Sequence, residues 1–162
     1  MAATDDTFPP TDPAIEALNL EPATRDAAYE LKRRHPEVVF TSGRRDKVGQ
    51  ARAMASNVVH NRKWVVQTYK PSDACTACQK WVDSHQEATT VDQVQQGLIG
   101  VFDGLTSQQL AGLSKHLSGQ AFDVQPVEQG ADAIKATIRG LKNLELFLDR
   151  EGGLVRWHAQ FK

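Results

Sequence analysis

The chain has 162 residues, 40% of them hydrophobic, which is enough for one domain with its own core and no disulfide staples. Nineteen Lys and Arg against 20 Asp and Glu leave a net charge of -1, which excludes a nucleic-acid binder driven by bulk charge. No apolar run reaches the roughly 18 residues of a membrane helix, and the acidic Met1–Asp6 holds no apolar segment, so neither membrane insertion nor a secretory signal is expected. Synthesis in the cytoplasm and action as a monomer are the corresponding expectations.

Residues 1–13 are polar and contain Pro9, Pro10 and Pro13, and they read as a flexible arm ahead of a single domain over 14–162. Pro22 suits the first turn of a helix and Pro36 blocks its continuation. Val38–Thr41 is β-branched and aromatic and reads as a strand running into a turn at Ser42-Gly43. From Asp46 a helix is expected, with Val48, Ala51, Ala55, Val58 and Val59 as its buried stripe. Helical pieces over 73–85, 91–102 and 107–111 make 70–110 a helical insertion, with Thr90 and Thr106 as N-caps and Gly112 closing the last piece. Ala121–Gln125 reads as a strand with Phe122 and Val124 on one side and Asp123 on the other. After a turn at Gly130, a long helix is expected, its stripe formed by Ile134, Ile138, Leu141, Leu144 and Leu148 and its end set by Gly152-Gly153. The last strand, 154–161, puts Val155, Trp157, Ala159 and Phe161 on one face and Arg156, His158 and Gln160 on the other.

Two sets of metal-binding side chains stand out. Cys75 and Cys78 have the Cys-x-x-Cys spacing, with His60 and His85 as the nearest spare imidazoles. A structural zinc site needs four ligands, so two reduced thiols on one helix face is the favoured reading. The second set is His116, Asp123 and His158. Gly119 lets the chain turn sharply between the first two, and pairing of the two strands would bring Asp123 and His158 into one cleft. Two imidazoles and a carboxylate are the ligand count of a catalytic zinc ion with one position open. Such an ion polarises a carbonyl and lowers the pKa of water toward about 7.

Ser114-x-His116-x-x-Gly119-x-Ala121-x-Asp123 resembles the zinc-ligand motif of the D-Ala-D-Ala carboxypeptidase and L-alanyl-D-glutamate endopeptidase family. Trp157-His158 resembles that family's second ligand motif, and Thr41-Ser42-Gly43-Arg44-Arg45 its Ser-Gly-Tyr-Arg segment, with Gln50 following. The resemblance covers residues 38–162 in order, apart from 62–112. It implies an α+β fold, a small antiparallel sheet that carries the zinc site packed against several helices, and a zinc peptidase acting on the stem peptides of bacterial peptidoglycan, of the kind found in bacteriophage endolysins, which reach the wall after the membrane is permeabilised. It implies His116, Asp123 and His158 as zinc ligands, Arg45 or Arg44 as the substrate-carbonyl arginine, and Ser114 as a group orienting a ligand or substrate. The usual catalytic Glu, three residues before the second histidine, is replaced by Val155, which takes no proton. Glu151 is the candidate general base, with Asp149 next. A D,D-carboxypeptidase acting on small D-Ala-D-Ala peptides, and a weakly active cell-wall-binding relative, are the alternatives.

Overall fold

Helix starts follow from side chains that satisfy the free N–H groups of a first turn. The structure, a computed structural model, describes residues 11–162. Most of the expected arm lies outside the described residues. Its end is ordered: Asp12 caps α1 (Pro13–Glu16) by accepting from Ala14 N. α2 (Pro22–Arg34) opens on its proline and stops before Pro36. β1 (Phe40–Ser42) is followed by α3 (Lys47–Val58), capped by Asp46, and the short α4 (Trp64–Thr68). Ser72 caps α5 (Asp73–Ser84), and capping boxes at Thr90 and Thr106 open α6 (Val91–Asp103) and α7 (Ser107–Ala111). A 3-10 turn (Lys115–Ser118) leads into β2 (Ala121–Val124), α8 (Ala131–Arg139), β3 (Leu144–Glu151) and β4 (Leu154–Phe161).

The sheet is antiparallel in the order β1-β2-β4-β3. Two apolar clusters carry the fold. In one, α1, α2 and α8 cover one face of the sheet, where Phe122 and Phe161 are fully buried and their rings lie 5.3 Å apart. In the other, α3 to α7 pack around Met54, Val58, Leu98 and Phe102. Residues 70–110 supply nine of the 16 buried residues of this second cluster and share it with α3 and α4. Burial of such a side chain stabilises by about 1.5–3 kcal/mol.

Three expectations need correction. The long helix after Gly130 ends at Arg139, and residues 144–151 are an edge strand. Leu144 and Leu148 fit a helical stripe, but with Leu146 they fit a strand equally well, and pairing with β4 decides it. Asn143 at φ +67 breaks the helical path. Gly152 and Gly153, at φ +59 and +86, make the two-residue hairpin turn that joins β3 to β4 rather than a helix stop. Val48 shares the spacing of the α3 stripe but lies in an uncovered first turn, 53% exposed. Val155 is equally exposed near the hairpin tip, so the apolar face of β4 begins at Trp157.

Candidate metal centre

The first imidazole is positioned by two loops that hold each other. Ser114 Oγ accepts from His116 N (3.2 Å) and opens the 3-10 turn, which ends at Gly119 with φ +76. That left-handed φ is what favours glycine at position 119, where the Arg44 guanidinium also lies close. Arg45 N donates to the His116 carbonyl (2.9 Å), and His116 Nδ1 donates to the Gly43 carbonyl (2.8 Å). A carbonyl can only accept, so the proton sits on Nδ1 and the Nε2 lone pair faces Asp123.

The other two groups come from sheet register. Asp123 pairs directly with His158 across β2 and β4, which puts both side chains on one face. His158 Nε2 lies 2.9 Å from Gln160 Oε1, and Gln160 Nε2 donates to Glu145 Oε1 (2.7 Å). The Glu145 carboxylate can only accept, which orients the amide so that its oxygen takes the proton of His158 Nε2. His158 Nδ1 then faces Asp123 Oδ1 at 2.9 Å, while His116 Nε2 lies 3.4 Å from the same oxygen.

This donor set fits a metal ion. One ligand atom from each residue lies within 4.8 Å of the others, and no other such group of three occurs among the described residues. A tetrahedron with arms of about 2.0–2.1 Å has edges of about 3.3–3.4 Å. Both imidazoles are buried, and each is held from behind by an acceptor that turns a lone pair inward. Two bare lone pairs at 2.9 Å repel, so a proton or a cation must stand between His158 Nδ1 and Asp123 Oδ1. Burial works against a charged His158, but the hydrogen bond and charge of Asp123 outweigh it and raise its pKa. Burial likewise opposes ionisation of Asp123, yet the two imidazoles hold its carboxyl far below the usual range.

Arg45 Nη2 donates to Asp123 Oδ2 (3.2 Å), and its Nη1 donates to the fully buried Gln50 Oε1 (3.3 Å). Arg44 points elsewhere, donating to the Asn19 carbonyl (2.8 Å), so of the two arginines only Arg45 belongs to the site. A cleft of about 550 Å³ opens beside His116 and His158, and Arg45, Tyr69, Ser114, Glu145 and Glu151 share its lining. Glu151 reaches it from the end of β3, close enough for its charge to act on both His158 and Tyr69. Asp149 instead faces Lys135 (3.4 Å) and Arg139 (3.8 Å) of α8.

Cys75 and Cys78 are free and buried in the helical cluster, and neither lines the cleft. Burial pushes the Cys78 thiol up to about 12, and Cys75 moves the same way. His85 stacks on Trp81 at 4.2 Å.

Sequence reasoning missed Gly43, Gln160 and Glu145 as ligand clamps, and Tyr69 as a cleft residue. Gln160 alone had a signal, its place on the same strand face as His158. Comparison of the chain with family models, curated proteins and solved structures finds no match.

Proposed function

We propose that the chain is a zinc-dependent peptidase that hydrolyses peptide bonds in the stem peptides of bacterial peptidoglycan. The observation that carries this reading is the His116–Asp123–His158 cluster, with both lone pairs turned inward and both imidazoles lining an open cleft. The nitrogen and oxygen donors suit zinc. The order of Ser114, His116, Gly119, Ala121, Asp123 and Trp157-His158 resembles the peptidases described above, and supports the choice of substrate. Among the described residues no helix is long and apolar enough to cross a membrane.

When bound, zinc supplies a Lewis acid for the carbonyl and lowers the pKa of water. The chain's own groups do the rest. Asp123 is oriented by Arg45 through Oδ2, which leaves Oδ1 toward the imidazoles. Glu151 takes the proton of the attacking water and returns it to the amine as the C–N bond breaks. Val155 plays no part in this, because it lies on the strand face opposite His158 and Glu151 fills the acid role from the neighbouring strand.

Purified peptidoglycan incubated with zinc-loaded protein should release fragments with new amino termini, and a chelator should stop the release. Mass spectra of the fragments name the bond, and loss of a terminal D-Ala alone would indicate the carboxypeptidase alternative. A protein that binds the wall and releases no amines with zinc present would defeat the reading.

A further inference from the structure

The contacts of Gln50 fix the direction of a hydrogen-bond chain that ends in the cleft. Arg45 can only donate, so the Gln50 oxygen faces its Nη1 (3.3 Å) and the Gln50 amide nitrogen faces the Tyr69 hydroxyl (3.2 Å). Gln50 is fully buried, which leaves its amide no alternative partner in solvent. The Tyr69 oxygen is therefore an acceptor in this contact, and its own proton is left over. Among the described residues the hydroxyl donates to nothing, and Tyr69 lines the same cleft as Arg45, His116, Glu151 and His158. The backbone supports this placement: Tyr69 closes α4 with its N–H on the Val65 carbonyl (3.0 Å). Burial, helped by the nearby Glu151 charge, raises the phenol's pKa, so the group stays a donor at neutral and alkaline pH.

Resting on the peptidase reading above, we propose that Tyr69 is a catalytic residue whose hydroxyl donates a hydrogen bond to the oxygen of the scissile carbonyl as that oxygen gains charge. The proton is shared and not transferred, so the phenol returns unchanged. A donor already aimed by Arg45 and Gln50 needs no reorganisation when the charge develops.

The test is Tyr69→Phe, compared with the wild type in zinc-loaded form on a stem peptide. The expected loss is about 10²–10³-fold in kcat with little change in KM, as for one oxyanion donor. Zinc content should match the wild type, and thermal unfolding should be lowered only by the Gln50 amide left without its partner. A phosphinate dipeptide, which carries a tetrahedral anionic centre, should bind the variant more weakly by a similar factor in calorimetry. Wild-type cleavage with full kcat in Tyr69→Phe would overturn this proposal alone. So would a displaced acid limb of the pH–rate profile with phosphinate affinity intact, which would make Glu151 the partner of the hydroxyl. A wild type that neither cleaves nor binds phosphinate would remove the peptidase reading and this proposal together. If Tyr69→Phe does not fold, 3-fluorotyrosine at position 69 keeps ring and hydroxyl while strengthening the donor. Tighter phosphinate binding is then expected, and unchanged affinity would overturn the proposal.

Discussion

The helical half and the sheet half of this molecule each bury a pair of metal-capable side chains, and only in the sheet half does a third ligand stand with them, in a group that could hold an ion. In the helical half, Cys75 and Cys78 lie one turn apart on α5 among apolar neighbours. Their nearest polar contacts are long ones, Cys75 Sγ to the Val65 and Tyr69 carbonyls at 3.8 and 3.9 Å. Among the described residues no cation stabilises a thiolate, and burial raises the pKa of both thiols. In the sheet half, His116 and His158 are equally buried, but each gives its outward N–H to an acceptor, and a carboxylate stands between the inward nitrogens. Sequence spacing matters less here than the acceptors behind the ligands.

That contrast can be broken most severely at the ligands. His116→Ala or His158→Ala should lower zinc affinity by more than about 100-fold, beyond the 10–100-fold typical of outer partners, and abolish activity. Competition with a chromophoric chelator measures the first, and either variant retaining wild-type affinity would contradict the assignment.

Gln160→Leu removes the acceptor behind His158 and leaves the ligands intact. A loss of about 10–100-fold in zinc affinity is expected, with the fold preserved. An unchanged affinity would mean that the imidazole needs no clamp.

Protons compete with zinc for the same nitrogen. The pKa of His158 is raised above the ordinary histidine value of about 6.5, so below the raised value the metal-free protein holds a proton that zinc must displace. Zinc affinity should then fall about tenfold for each pH unit on going down in that range, read by calorimetry in buffers of different ionisation heat. In the metal-free protein the same shift stabilises the fold below the ordinary value, and that contribution is lost as pH rises through the raised one.

The smallest effect belongs to the helical half. Cys75→Ala with Cys78→Ala should leave zinc stoichiometry at one. At pH 8 the native thiols should react with iodoacetamide far more slowly than those of the urea-unfolded chain. Rapid native labelling would show that the helical cluster opens.

Much of this architecture could be read from residue order. Alternation placed Asp123 opposite Phe122 and Val124, and His158 opposite Trp157 and Phe161, because a strand's period of two is unambiguous when one face is apolar. Thr90 and Thr106 announced their helices because capping is local chemistry, complete within four residues. β3 was not legible. Its leucines at 144, 146 and 148 satisfy both periods, and only the long-range pairing with β4 separates them. The choice of Arg45 over Arg44 was hidden for a similar reason. It depends on the Gly43 and Arg45 backbone contacts to His116, which join residues more than 70 positions apart. Tyr69 carried no motif, and its meaning comes from Gln50, a buried amide whose orientation only the folded chain defines.

X-ray absorption at the zinc edge of the stoichiometrically loaded wild-type protein tests the central claim most directly. The account predicts nitrogen and oxygen neighbours at about 2.0–2.1 Å, the outer-shell scattering of two imidazoles, and no sulfur near about 2.3 Å. A sulfur shell, placing the ion with Cys75 and Cys78, or a spectrum with fewer than two imidazoles, would contradict it.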